Sequence, residues 1–303
     1  MMKFKKVFVA LAVFGILISI FMFCSKHSEG VLENKEESYS YQELENLPYE
    51  FPLQDEFDSD GNLTVADFMR QPDSYTKLKR FNEKLHSDFK YIEMISQPVE
   101  VIGKFDLPLD FVNGYMESGK TVDLSNQPMY INGESTYITP LNAVQVDYNA
   151  YNYYNFLIKE GRGFKETDFK YSEICPIILG SNYTKFYSVG DTLEFYYLGK
   201  KTEAAIIGFL KDDFLVSNEE TNLNNYIVMP ITCEINIDQL HDSEYLYKDE
   251  YDDPDKFYLT FLYMQKNNGI FLCKHKEEYD SLKDRIKRIS GEIGVAYSVK
   301  NFY

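Results

Sequence analysis

Residues 160–210 constrain the fold of this chain more than any other stretch, because strand-like runs alternate there with turn sequences. The first turn has two glycines that suit a tight backbone bend; its residues are Gly161, Arg162, Gly163 and Phe164, with Asp168 shortly after. An apolar run over residues 176–179 is typical of a buried strand and ends at Gly180. Ser181 and Asn182 come next and are residues that could cap a short helix.

The second half of this stretch predicts a β-hairpin. Val189, Gly190 and Asp191 turn the chain, and residues 192–197 and 202–209 are two runs rich in β-forming residues. They flank a tight corner at residues 198–200, which is a hairpin signal, and the second run contains Gly208. A hairpin requires antiparallel strands.

The rest of the chain adds helices and a crossover. Residues 64–86 predict a helix that breaks at Pro72, residues 91–102 a strand, residues 142–158 a strand and a short helix, and residues 225–230 a strand. Near the end, residues 257–265 predict a strand, 277–290 a helix with one apolar face, and 293–299 a strand. Because a helix between strands favours a parallel pair, the sequence predicts an α+β fold with a mixed sheet and flanking helices.

The N-terminus carries a candidate membrane segment. Residues 7–24 contain no charge, follow Lys3, Lys5 and Lys6, and as a helix would span roughly 27 Å. The lysines predict a cytoplasmic N-terminus and a main domain outside the cytoplasm. A lipoprotein acylated at Cys24 and an ordinary cleaved signal peptide are the alternatives, but Phe21, Met22 and Phe23 lack the small residues that a cleavage site needs.

These features give a four-part organisation. Residues 1–6 are a cytoplasmic basic tail, 7–24 a transmembrane helix, 25–40 a linker and 41–303 one extracytoplasmic domain. The chain has a net charge of −17. Because such a field repels polyphosphate, we expect no nucleic-acid partner.

Two motifs imitate ligand sites. Residues 114–121 satisfy the P-loop pattern with Gly114, Gly119, Lys120 and Thr121, but a poor helix former follows them, so we interpret the match as chance and expect no bound nucleotide. A weak calcium pattern begins at Glu56 and has carboxylates at loop positions 1, 3, 5 and 12. Its members are Glu56, Asp58, Asp60 and Asp67. Pro52 stands where the incoming helix should be, so a polar turn is the simpler interpretation.

No catalytic pattern emerges from the remaining residue types. The cysteines are too far apart in sequence for a zinc motif, and we interpret those beyond residue 24 as buried apolar residues, with one disulfide as an alternative; they are Cys175, Cys233 and Cys273. The four histidines are isolated in sequence and are interpreted as surface residues; they are His27, His86, His241 and His275. We therefore expect no catalytic residue, metal or cofactor.

The order of motifs in residues 160–210 resembles the extracytoplasmic core domain of MacB/FtsX-type ABC-transporter permeases. This resemblance implies that Gly161, Arg162, Gly163, Phe164, Gly180, Gly190, Asp191 and Gly208 mark a fold rather than a reaction centre. It also implies a bacterial membrane protein that partners an ABC permease subunit and a cytoplasmic ABC ATPase in export or signal transmission. A homo- or heterodimer is compatible with it.

Such permeases have three further membrane helices after this domain, and this sequence shows none, so a truncated permease and a single-pass accessory subunit are both open. An anchored protein that binds peptide or polysaccharide is the alternative from another class. Exposed rings at Tyr148, Tyr151, Tyr153 and Tyr154 would favour that alternative, and burial of these rings would favour the permease-type domain. An extracytoplasmic enzyme would require a cleft with converging carboxylates.

Overall fold

The computed structural model describes residues 47, 49–59, 64–114, 123–131, 133–216, 222–232, 235, 237–240, 243–246 and 252–300. Its α-helices are α1 Val65–Met69, α2 Ser74–Asp88, α3 Tyr148–Tyr153, α4 Pro254–Lys266 and α5 Glu278–Ile293. Its strands are β1 Tyr49–Asp55, β2 Tyr91–Ile92, β3 Met94–Ser96, β4 Val99–Ile102, β5 Gln127–Ile131, β6 Glu134–Leu141, β7 Ala143–Val146, β8 Ile158–Gly161, β9 Ile174–Leu179, β10 Thr192–Tyr197, β11 Lys200–Leu210, β12 Ile227–Pro230, β13 Ile270–Cys273 and β14 Tyr297–Val299.

The smaller of two sheets has four strands in the order β14-β1-β13-β2, all antiparallel to their neighbours. β1 lies in its centre, so the first described strand is paired on both sides. β14 is its neighbour in the register Leu53 opposite Val299, and the Lys300 N–H donates to the Pro52 carbonyl at 2.8 Å. The first and the last described strands therefore lie next to each other in this sheet.

The larger sheet has ten strands in the order β3-β7-β12-β9-β11-β10-β4-β6-β5, with β8 paired to the end of β11. The β9–β11 and β7–β12 pairs are parallel and the other pairs are antiparallel. This mixed sheet with flanking helices confirms the predicted fold class. The sequence did not reveal that the strands divide between two sheets.

Apolar spacing explains how the helices pack. Leu78, Phe81 and Leu85 are fully buried on α2, and Ile286 is fully buried on α5. These two helices cover the smaller sheet, because three- and four-residue spacing puts apolar side chains on one helix face. α4 buries Leu259 and Leu262 against one face of the larger sheet, and α3 lies on the opposite face.

Several elements match their predictions. The helix break falls at Gln71 and Pro72, between α1 and α2, and the hairpin of β10 and β11 turns at Leu198 and Gly199. α3, β9 and β12 also lie where they were predicted. The predicted strand over residues 91–102 is divided into β2, β3 and β4.

The prediction of a strand over residues 257–265 is wrong, because this segment lies in α4. Asp253 caps the helix by accepting a hydrogen bond from the Lys256 N–H, and Pro254 occupies its first turn. The final crossover is also more complex than predicted. β13 and β14 run in the same direction, but β1 lies between them, and residues 293–296 precede β14 instead of belonging to it.

Helices long and apolar enough to cross a bilayer are absent from the part of the chain that the structure describes. The predicted transmembrane segment at residues 7–24, the cytoplasmic tail and the linker lie outside the described residues.

Candidate functional site

The first motif of the 160–210 segment is a site of close backbone contact. Gly161 ends β8 with a φ of +77°, and a Cβ atom there would lie 2.4 Å from the Ile207 carbonyl oxygen. Gly208 is its register partner, and a Cβ there would lie 2.5 Å from the Arg162 carbonyl oxygen. Both positions therefore require glycine, since a side chain would push β8 away from β11.

Arg162 and Asp168 fasten this turn. The two guanidinium nitrogens of Arg162 donate to the two carboxylate oxygens of Asp168 at 2.6 and 3.1 Å, and the Lys165 N–H also donates to Asp168 at 2.7 Å. Burial alone would raise the pKa of Asp168, but these donors hold the pKa below its ordinary value. The Arg162–Asp168 pair therefore links the two ends of the loop of residues 162–168.

Phe164 and Gly163 pack against the Tyr151 side chain. The Phe164 N–H donates to the Tyr151 hydroxyl at 3.2 Å, and the two rings meet edge to face at 5.2 Å. A Cβ on Gly163 would lie 2.2 Å from the same hydroxyl oxygen. These contacts anchor α3 to the turn.

The other motif positions also shape backbone. A Cβ on Gly180 would lie 2.1 Å from the Leu223 carbonyl oxygen, so β9 can pass close to the chain that precedes β12. Gly190 has a φ of +98° with open space around it, and Asp191 accepts a hydrogen bond from the Ser188 N–H at 2.8 Å. Gly180, rather than Ser181, occupies the cap position of the 3₁₀ turn Ser181–Lys185, and the Ser181 hydroxyl donates to Asn224.

The two imitation motifs are only partly described. Gly114 follows the 3₁₀ turn Leu109–Phe111. Gly119, Lys120 and Thr121 lie outside the described residues, so the interpretation of the P-loop match as a chance match stays a prediction. Asp60 of the calcium pattern also lies outside them.

The described acids of the calcium pattern have local partners. Glu56 accepts hydrogen bonds from Gln54, Ser59 and Ser298, and Asp58 accepts one from the Val65 N–H. Asp67 pairs with Arg70 at 3.0 Å. The weak calcium site stays untested, as does the expectation of no metal.

A buried charged cluster, which the sequence did not predict, lies where the two sheets meet. Glu93 is the single residue between β2 of the smaller sheet and β3 of the larger one, and it is 0% exposed. Lys266, His86 and Asn82 surround its carboxylate: the Lys266 ammonium lies 3.1 Å from Oε2, and Asn82 Nδ2 and His86 Nε2 each lie 2.7 Å from Oε1.

Asp147 adds a second buried carboxylate to this cluster. Its N–H donates to the Glu93 carbonyl at 2.9 Å, and its side chain caps α3 by accepting from the Ala150 N–H at 2.6 Å. Burial, and then the charge of Glu93, raise the pKa of Asp147 to about 7. The pKa of Glu93 is lowered despite burial, because the Lys266 charge and the hydrogen bonds from His86 and Asn82 favour its ionised form.

His86 is exposed, as the sequence analysis expected of the histidines, but its ring also reaches the buried cluster. Its side chain is 33% exposed, and its ring contacts both the Glu93 carboxylate and the Tyr91 ring. Burial alone would lower its pKa, but the contact with Glu93 raises the pKa above its ordinary value. The sequence signal was a lone acid in the otherwise apolar run of residues 91–96.

The cluster has residue types that can bind a metal ion, but a lysine ammonium already lies beside its carboxylate. Among the described residues, His86, Glu93 and Asp147 form the one grouping whose ligand atoms all lie within 4.8 Å of one another. These ligand types suit zinc. The Lys266 ammonium already supplies positive charge beside Glu93, so we interpret the cluster as an ion-paired junction between the sheets.

The described cysteines are free thiols, and the four tyrosines at residues 148–154 pack against the core. Cys175 is half-buried, Cys273 is buried and both are free thiols, whereas Cys24 and Cys233 lie outside the described residues. The rings of the tyrosine group are half-buried and pack against the core around α3; they belong to Tyr148, Tyr151, Tyr153 and Tyr154.

Comparison with known proteins finds similarity in structure only. No protein-family model matches the sequence, and no curated protein matches it. The extracellular domain of the noncanonic ABC-type transporter YknZ from Gram-positive bacteria is 12% identical with a TM-score of 0.43, over 84% of this chain and 100% of that one. The periplasmic region of MacB from Actinobacillus actinomycetemcomitans is 10% identical with a TM-score of 0.38, over 86% of this chain and 92% of that one.

The first of these structures is an extracellular domain and the second a periplasmic region. With identities this low, the function of this chain has to be argued from its own residues.

Proposed function

We propose that this chain is a membrane-anchored extracytoplasmic domain of, or accessory to, an ABC-transporter permease, and that it is not itself an enzyme. The observation that carries the proposal is the motif order of residues 160–210. Its glycines serve backbone contact, as at Gly161 and Gly208, which suits a fold signature. The uncharged run at residues 7–24 supplies the proposed anchor.

The course of the chain supports a mechanical role. β1 follows the proposed anchor and linker and lies at the centre of the smaller sheet, with β14 beside it. A displacement of the anchor would therefore act first on the smaller sheet. The Glu93–Lys266 ion pair joins it to the larger sheet, so the two sheets would move together.

The alternative of an anchored ligand-binding protein is less well supported. Aromatic binding platforms need exposed ring faces, whereas the Tyr151 ring stacks on Phe156 at 5.3 Å and meets Phe164. The Tyr153 hydroxyl donates to Glu50 at 3.0 Å. These rings are used to pack α3 against the sheet.

The test is co-purification from membranes. The full chain, tagged at its C-terminus, would be solubilised in a mild detergent, purified, and its companions identified by mass spectrometry. We expect an ABC permease subunit and an ABC ATPase. The matched control keeps residues 1–40 and replaces the rest with an unrelated soluble domain, which should lose both companions. Recovery of the full chain without either companion would contradict the proposal.

Topology is tested separately by adding protease to intact spheroplasts. We expect the domain to be digested from outside while a tag at the N-terminus stays protected. Protection of the domain until the membrane is permeabilised would contradict an extracytoplasmic location.

A further inference from the structure

A small cleft lies between the larger sheet and α4, and it holds about 50 Å³. Strand register explains which side chains it collects. Tyr197 lies opposite Lys200 across the β10–β11 pair, so both side chains are on the same face of the sheet. Thr202 shares this face by alternation along β11, and Tyr258 of α4 covers it.

Lys200 brings a positive charge into this cleft. Its ammonium lies 5.7 and 5.9 Å from the ring centroids of Tyr171 and Tyr258, which both line the cleft. Within the described chain, no carboxylate oxygen approaches this ammonium to within 4.0 Å. Burial lowers the pKa of Lys200, partly offset by the nearby Cys175 and Asp255. A half-buried ammonium of this kind is stabilised by an anion.

Tyr197 is an independent indication of a binding site. Its side chain is 5% exposed, and its hydroxyl has no hydrogen-bond partner among the described residues. Buried hydroxyl groups are nearly always hydrogen-bonded, so one without a partner at the wall of a cleft calls for an acceptor. The adjacent walls are apolar and include Met229, Ile231 and Leu262.

The charges around the cleft favour an anion even though the chain as a whole is acidic. Lys170 and Lys200 both line it, and the one acid among the lining residues is Asp168. Asp168 is already neutralised by the two hydrogen bonds from Arg162. Asp255, the nearby acid of α4, accepts a hydrogen bond from the Tyr245 hydroxyl at 2.6 Å.

We propose that this cleft binds a carboxylate group, opposed in charge by the Lys200 ammonium and hydrogen-bonded by the Tyr197 hydroxyl. A carboxylate fits better than a phosphate, because the cleft is small and its one half-buried ammonium matches a single negative charge. A free small acid and the C-terminus of a peptide present the same group, so both are candidate sources. The site is independent of the proposed permease role.

The test uses the full chain in mild detergent and measures binding by isothermal titration calorimetry. The probes are acetate, N-acetyl-Ala-Ala with a free C-terminus, the same dipeptide with an amidated C-terminus, and inorganic phosphate. We expect the two carboxylates to bind and the amide and phosphate not to bind. Tighter binding of the free dipeptide than of acetate would identify a peptide C-terminus as the source, and equal binding a small acid.

Variants locate the binding in the cleft. Lys200→Met should weaken carboxylate binding by roughly tenfold or more, and Tyr197→Phe by roughly fivefold. The matched control is Lys201→Met, because Lys201 pairs with Glu194 at 3.3 Å on the other face and should leave the affinity unchanged. Tyr197→Phe removes only a hydroxyl without a partner, so it should fold even where Lys200→Met does not.

Absence of carboxylate binding would overturn the proposal. Equal binding of phosphate or of the amidated dipeptide would do the same. So would an unchanged affinity in Tyr197→Phe, or an equal loss in Lys201→Met.

Discussion

The Lys266 ammonium lies 3.1 Å from Glu93 Oε2 in the interior, with side chains 5% and 1% exposed. Glu93 is the link between the two sheets, and Lys266 is the last residue of α4 before β13. An ion pair in such surroundings adds little net stability, but losing one partner leaves an uncompensated buried charge. The pair therefore makes the junction between the sheets sensitive to single substitutions.

Lys266→Met tests this junction. We expect the free energy of unfolding to fall by about 3 kcal/mol, because Glu93 would stay buried with only His86 and Asn82 as partners. Urea denaturation followed by circular dichroism measures it. The control is Lys84→Met, which removes a surface pair with Asp88 and should leave the free energy of unfolding almost unchanged. Equal losses in both variants would show that the Lys266 pair has no special role.

The pH dependence of stability should depend on Asp147. Its pKa in the folded chain, about 7, lies above the ordinary value of 3.8, so the folded state binds this proton more tightly than the unfolded state does. The contribution of this proton is present at low pH and is lost as pH rises towards 7. His86 acts in the same direction, because its raised pKa stabilises the folded state until pH exceeds that pKa.

Asp147→Asn isolates the Asp147 contribution, since an asparagine can still cap α3 through its side-chain oxygen. Between about pH 5 and about pH 7 the wild type should lose on the order of 2 kcal/mol more stability than the variant. Asp55 and Glu100 also have pKa values raised to about 7, but both remain in the variant and cancel in the difference. Parallel pH profiles for the two proteins would refute this assignment.

Local sequence patterns predicted part of the fold, whereas β1, β5, β6 and β13 were not predicted. The hairpin corner at Leu198 and Gly199 and the helix break at Pro72 depend on nearby residues and were predicted correctly. α4 was mistaken for a strand because its Tyr, Phe and Leu content favours β-structure. The capping pair Asp253 and Pro254 was the local signal that should have outweighed composition.

The charged cluster was beyond sequence reasoning for a different reason. Its members come from α2, the β2–β3 link, the start of α3 and the end of α4, so they meet only once both sheets have formed. His86 and Lys266 look like ordinary surface residues in sequence. The division of the strands between two sheets, which creates this meeting point, is set by long-range pairing that no local pattern encodes.

Zinc should not stabilise the wild-type protein. A dication ligated by His86, Glu93 and Asp147 would have to share Glu93 with the Lys266 ammonium, and like charges at that distance repel. We therefore expect the same melting temperature with EDTA and with a small excess of zinc. A melting temperature that falls in EDTA and recovers with zinc would instead make the cluster a metal site.

Gly208 and Gly291 offer opposite outcomes for the same substitution. A Cβ on Gly208 would lie 2.5 Å from the Arg162 carbonyl oxygen and 2.9 Å from that of Glu160, and both are backbone atoms that cannot rotate away. Gly208→Ala should therefore destabilise the protein by about 1–3 kcal/mol by separating β8 from β11.

Gly291 lies exposed within α5, with no atom within 4 Å of the added Cβ. Gly291→Ala should raise the free energy of unfolding by about 0.5–1 kcal/mol, because alanine loses less backbone freedom on entering a helix. Urea midpoints of the two variants measure both effects in one experiment. If Gly208→Ala were tolerated as well as Gly291→Ala, the close contact between β8 and β11 could not be what requires glycine in the segment of residues 160–210.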